Sequence, residues 1–170
     1  ISRADPFSAS DLETLEADVV HLNPLWLGEF PLTLLPQLRQ RAALLAGDAQ
    51  GFLRHAGDGG KMAHRDLADK HRVLRVFDIF KVDSKEAKIL TGYDDICLSA
   101  HAVHDLGPKT VILTHRGGVC VFDGHEYYES PFTGFTLEGR TGRGDTCTAA
   151  FLFAMGRMSL RDATAFAAEV

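Results

Sequence analysis

Three cysteines in 170 residues, Cys97, Cys120 and Cys147, lie far apart and form no C-x-x-C pair. That spacing excludes a disulfide framework and a cysteine-based zinc site, and it suits a reduced, cytoplasmic chain. No apolar run approaches the ~18 residues that would cross a bilayer. The opening ISRADPFSAS has no apolar core and no cleavage pattern of a secretion signal. Positive charge is also short: the net charge is −5, with 18 Lys and Arg against 23 Asp and Glu. A general electrostatic grip on nucleic acid or anionic lipid is therefore not expected. There is no internal repeat and no low-complexity segment. What remains, 45% apolar and 24% charged residues, is the composition of an ordinary globular protein of one domain.

Strand and helix patterns alternate through most of the chain. ADVVHLNP (17–24) reads as a strand stopped by Pro24. A helix is expected over about 32–41, with Pro36 in its first turns, followed by a buried strand at 43–47. The polar, glycine-rich stretch 51–70 reads as a loop with a short helix near Asp66. An apolar strand at 76–83 runs into SKEAKILTG, a helix capped by Asp83 or Ser84 and closed by Gly92. A further helix ends at Gly107. Strands at 110–115, 118–124 and 125–130 follow, the last two joined through Asp123-Gly124. Helices are expected over 143–157 and after Ser159. This order predicts an α/β fold with a largely parallel sheet and helices on both faces. In such sheets ligands collect at the carboxyl ends of the strands, where the turns around 83–86 and 139–145 fall.

The stretch TGRGDT, directly before an apolar helix, carries the sharpest chemical signal. A helix N-terminus presents amides without intrahelical partners, backed by a partial positive charge. Gly142 and Gly144 remove side chains so that an anion can approach those donors, and Arg143 adds a cationic one. Asp145 has two readings: it caps the helix, or it faces outward as a carboxylate beside an anion cradle. In the second case a hydroxyl between them loses its proton to Asp145 while the amides steady a transferring phosphoryl group. The triplet RGD also matches an adhesion motif, which needs an exposed loop in a secreted protein and does not fit here. His101 and His104 share a helix face, but no third metal ligand accompanies them.

These residues resemble a known family. TGRGDTCTAAF is similar to the C-terminal signature of the PfkB or ribokinase-like carbohydrate kinases, usually T-G-A-G-D followed by a helix of small and apolar residues. KVDSKEAKILTG resembles that family's K-x-N-x-x-E-x-x-x-L-T-G element, and VILTHRGGVCVFDGHEYYESP its strand, turn and hairpin. The resemblance covers about residues 76–170, with a weaker match upstream from 17. It implies a ribokinase-like fold with a β-hairpin near the nucleotide side. It also implies an ATP- and Mg²⁺-dependent kinase acting on a hydroxyl of a sugar, nucleoside or related polyol, without nucleic-acid or membrane partners, and with a homodimer as one assembly. Asp145 takes the role of base; Gly142, Arg143 and Gly144 that of the anion hole; Thr114, Gly117 and Gly118 lie near the nucleotide. Asp83 and Glu86 hold Mg²⁺ and phosphate through water. Lys81 is either a phosphate contact or a solvated lysine at a strand end.

Four departures from the family pattern stand out. Asp83 replaces the usual Asn. THRGG is one residue shorter than T-x-G-x-x-G. Arg140 stands where the family often places a carboxylate that helps bind a monovalent cation, and is expected to supply that positive charge itself. Finally, family members run to about twice this length, so residues 1–170 correspond to one incomplete core. It lacks the N-terminal sugar-binding and lid region and the C-terminal end. A non-catalytic nucleotide- or phosphate-binding module derived from the same fold is the alternative function.

Overall fold

The computed structural model describes residues 5–57, 61–133 and 142–170. Six strands form one sheet in the order β1 (Ala17–Leu22), β2 (Ala42–Asp48), β5 (Ile79–Asp83), β6 (Thr110–Thr114), β7 (Gly118–Phe122) and β8 (Tyr127–Pro131). The first four are parallel, and β7 and β8 add an antiparallel edge. The helices are α1 (Leu35–Arg41), α2 (Gln50–Leu53), α3 (Lys70–Leu74), α4 (Ser84–Thr91), α5 (Ile96–Asp105), α6 (Arg143–Ala154) and α7 (Leu160–Glu169). The expected ribokinase-like α/β architecture is therefore present.

Both faces of the sheet are covered at its centre, so the central strands are largely buried on both sides, while the edge strands β1 and β8 are partly exposed. Successive residues point to opposite faces. In β6, Val111 and Leu113 join a core with Leu38, Phe52, Phe80, Ala100 and Val103. Ile112 between them joins a second core with Cys147, Ala150, Phe151, Ala163 and Ala167 of α6 and α7. On β5 the same alternation sends Phe80 and Val82 to the first core and Ile79 to the second. Alanines make up most of the inner face of α7 and two positions of α6, Ala150 and Ala154, which suits close packing of these helices on the sheet. At the opposite end of the sheet, Asp78 pairs with Arg39 and Lys109 and accepts the Leu45 amide, so this polar cluster is satisfied by structure.

Three expectations need correction. Residues 51–70 are not simply loop: Arg54–Ala56 (β3) and Met62–His64 (β4) form an antiparallel pair. Its polar sequence lacks the alternation that marks a strand, so the backbone pairing had no side-chain signature. The short helix lies at Lys70–Leu74 instead of near Asp66. Finally, the hairpin turn takes in His125 and Glu126, because the Asp123 carboxylate accepts both of their amides. The other elements match to within a few residues. Helix α6 ends at Ala154, short of the expected 157, and Gly156 follows with φ +75°.

Candidate active site

Register assembles the site. His21 stands opposite Ala46, and Asp48 stands opposite Lys81. Ala46, Ile79 and Ile112 face α6, so residues two further along, Asp48, Lys81 and Thr114, face it as well. Asn23 extends the same series from β1. The carboxyl ends of four parallel strands therefore deliver polar side chains in an arc beneath the first turn of α6. None of these strand ends is apolar at that point, although the strands behind them are.

Helix α6 opens on Gly142, at φ +90°, with no side-chain cap. Its first internal bond runs from the Thr146 amide to the Gly142 carbonyl, so amides 143–145 have no partner one turn back within the helix. A Cβ on Gly142 would meet nothing within 4 Å, so backbone conformation alone demands glycine there. Gly144 is different: a Cβ would come within 3.2 Å of the Lys81 ammonium nitrogen. Thr148, fully buried, donates to the Gly144 carbonyl at 2.8 Å and steadies the turn.

Asp145 does not cap its own helix. Its Oδ1 accepts a hydrogen bond from Asn23 Nδ2 at 2.8 Å, and the residue is exposed. Asn23 Oδ1 and His21 Nε2 are inaccessible to solvent and have no hydrogen-bond partner among the described residues. Burial lowers the His21 pKa, and the nearby Asp48 and Asp145 carboxylates oppose that shift. Two buried polar atoms without partners among the described residues, close to an exposed carboxylate, call for an explanation such as ordered water or a bound group.

Lys81 is 6% exposed and pairs with Asp48 at 3.0 Å, with Glu86 at 4.0 Å. Burial works against its charge, but Asp48 and then Glu86 outweigh it, and its pKa is raised. The solvated-lysine reading is thus excluded: Lys81 is a buried cation directly behind the Gly142–Gly144 turn. Glu86 is 2% exposed, and burial pushes its carboxyl up to about 7.

Asp83 and Glu86 form a capping box at the start of α4. Asp83 Oδ1 accepts the Lys85 and Glu86 amides, each at 2.8 Å, and Glu86 Oε2 accepts the Asp83 amide at 2.7 Å. No cluster of three metal-ligating side chains occurs among the described residues. An ion held by Asp83 at the rim, with Glu86 behind it, and otherwise by water and donor phosphates still fits Mg²⁺.

In front of the two helix N-termini lies a cavity of about 330 Å³, lined by Asp83, Ser84, Lys85, Thr114, His115, Arg116, Phe132, Arg143 and Gly144. Thr114 lines this cavity. Gly117 and Gly118 are not among its lining residues. A Cβ on Gly118 would lie 2.2 Å from the Ser130 carbonyl, so glycine there serves the β7–β8 pairing. Arg140 lies outside the described residues. The exposed His101 lies tilted over Phe122 at 3.9 Å between ring centres, and His104 meets the same ring edge-on, so both contact this ring.

Sequence reasoning missed Asn23, His21 and Asp48. The available signal was a polar residue interrupting an apolar strand at its carboxyl end: HLN before Pro24, and Asp48 after LLAG.

No protein-family model matches the chain. A pyrophosphate-dependent kinase in the ribokinase family, solved with a pyrophosphate analogue and myo-inositol, is 50% identical with a TM-score of 0.94. The similarity covers 99% of this chain and 61% of that one. A cytidine kinase from Thermococcus kodakarensis is 30% identical over 149 residues, which are 85% of this chain and 50% of the relative. Ribokinase from Arabidopsis thaliana, solved with ribose and ATP, shares the fold at 24% identity and a TM-score of 0.71, over 97% of this chain. Over nearly its whole length this chain is similar to kinases of the ribokinase (PfkB) family. It spans about half to three-fifths of the length of these relatives.

Proposed function

We propose that the chain carries the donor site and catalytic base of a ribokinase-family phosphotransferase. The acceptor is a hydroxyl of a small polyol, sugar or nucleoside. The observation that carries this reading is the Asp145 carboxylate, held by Asn23 and not by its own helix, beside the uncapped first turn of α6. The acceptor hydroxyl sits against Asp145, whose carboxylate Asn23 orients. As its oxygen attacks the terminal phosphorus of the donor, its proton passes to Asp145. The bridging P–O bond breaks, and its electron pair leaves with the departing phosphate. The Gly142–Gly144 turn and Arg143 bind the equatorial oxygens of the phosphoryl group. Buried Lys81 sets a fixed positive charge behind them. Asp83 and Glu86 would hold Mg²⁺, which would neutralise donor charge.

For the donor, inorganic pyrophosphate is favoured over the ATP expected from the family resemblance. The relative at 50% identity is pyrophosphate-dependent, and Lys85, Arg116 and Arg143 crowd a cavity of only about 330 Å³. The test is to supply pyrophosphate or ATP, each with Mg²⁺, against a panel of cyclic polyols, sugars and nucleosides. Transfer to a hydroxyl by the wild-type protein, lost in Asp145→Asn with donor binding kept, supports the reading. Donor binding with no transfer to any acceptor would leave the non-catalytic module as the better account.

A further inference from the structure

Behind the phosphate-binding turn lies an ion pair that folding alone does not explain. Asp48, 1% exposed, ends β2 opposite Lys81 on β5. Its two carboxylate oxygens have separate partners: Oδ1 accepts the Gln50 amide at 2.9 Å, and Oδ2 meets the Lys81 ammonium at 3.0 Å. The next amide, that of Ala49, donates to the Lys81 carbonyl at 2.9 Å. The turn after β2 therefore grips Lys81 by its backbone and by its side-chain end. A buried ion pair gives a fold little that well-packed apolar side chains would not, because taking both charges out of water offsets their attraction. The turn itself uses only Oδ1.

The place of the ammonium supplies the rest. A Cβ on Gly144 would come within 3.2 Å of Lys81 Nζ and 3.3 Å of Lys81 Cε, so the end of this side chain lies against the backbone of the anion-binding turn. A second carboxylate, that of Glu86, stands 4.0 Å from the same nitrogen and belongs to the start of α4. A lysine carries its charge on a flexible four-carbon stem, so its partners decide where that charge rests. Asp48 thus sets one cation under Gly144 instead of leaving it to be drawn toward Glu86. We propose that Asp48 is a positioning residue for phosphoryl transfer, acting through Lys81 to hold the ammonium beneath Gly144, where negative charge gathers on the transferring group.

This rests on the phosphotransferase reading and adds to it a buried residue behind the reacting groups. The experiment measures kcat and donor KM, with the donor that the wild type uses, for the wild type, Asp48→Asn, Lys81→Met and the double variant. Calorimetric titration with that donor counts the folded sites, so kcat is expressed per site. Asp48→Asn leaves an oxygen for the Gln50 amide and removes the charge that holds Lys81. It should lower kcat per site by about ten- to a hundredfold, as for a displaced catalytic group, with donor affinity kept. In the Lys81→Met background the same change should cost nothing further, because no ammonium is left to hold. Asp48→Glu keeps the charge but moves it by one methylene; it should lower kcat by less, and it supplies the answer should the asparagine variant fail to fold. A merely structural Asp48 would change the number of sites and not the turnover of each. Wild-type kcat per site in the Asp48 variants, or an equal loss with and without Lys81, overturns the inference and leaves the phosphotransferase reading standing. A wild type that transfers nothing from pyrophosphate or ATP removes both.

Discussion

Two helices begin side by side at the carboxyl end of the sheet, and they begin in opposite ways. Helix α4 is closed by its own chain: Asp83 takes two of its amides and Glu86 answers back to the Asp83 amide. Helix α6 starts on a left-handed glycine, and its only first-turn acid reaches across to Asn23. Both N-termini have the same partial positive charge and the same surplus of amides. At α4 that surplus is spent on folding. At α6 it is kept for a ligand, and the acid that would have satisfied it becomes available for proton transfer. An acid in the first turn of a helix is therefore an ambiguous sign, and the side chain across the sheet decides what it does.

The largest test of this contrast is Asp145→Asn. Loss of a general base should cut phosphotransfer between about a hundred- and ten-thousandfold, while donor affinity, read by calorimetry, is kept. An equal fall in donor binding would mean that Asp145 belongs to the anion cradle, erasing the difference between the helices.

Glu86→Gln addresses the closed helix through pH. The Glu86 carboxyl rises from 4.5 to about 7 mainly because it is buried. The folded state thus holds a proton that the unfolded chain has released. This contribution to stability is full below 4.5 and is lost as pH climbs to about 7. A glutamine carries no such cost. The variant should match the wild type near pH 4.5 and exceed it above pH 7 by on the order of 1–3 kcal/mol in urea unfolding. Parallel pH profiles would refute the buried, proton-bearing Glu86.

Gly142→Ala should destabilise by about 1–2 kcal/mol, because alanine resists the left-handed backbone there although space is open. A smaller penalty, about 1 kcal/mol, is expected for Asp83→Ala, through loss of the α4 cap. Thermal unfolding checks both. If Asp83→Ala costs nothing, its carboxylate is not committed to the helix, and α4 is open as well.

How much of this was legible in the sequence follows the same division. The turn 142–145 stood out because two glycines flank a cation directly before an acid, although the backbone at Gly142 and the closeness of Lys81 to Gly144 also call for glycine; of the two caps that local spacing offered for α4, Asp83 is the one used. Asn23 could not be read, because its meaning depends on β1 lying two strands from β5 and reaching under a helix 122 positions later. Lys81 was half legible: its place at a strand end was clear, but its burial came only from parallel pairing with Asp48. Gly118 was ambiguous because a glycine required by close strand contact looks the same in sequence as one required by a ligand. The pair at 54–64 escaped for want of any apolar period.

The most direct measurement is a pyrophosphate titration followed at the backbone amides by ¹⁵N–¹H NMR. The account predicts large shifts for the amides of Arg143, Gly144 and Asp145, and small ones for Lys85 and Glu86, which Asp83 already holds. Shifts concentrated at Lys85 and Glu86, with 143–145 silent, would contradict it.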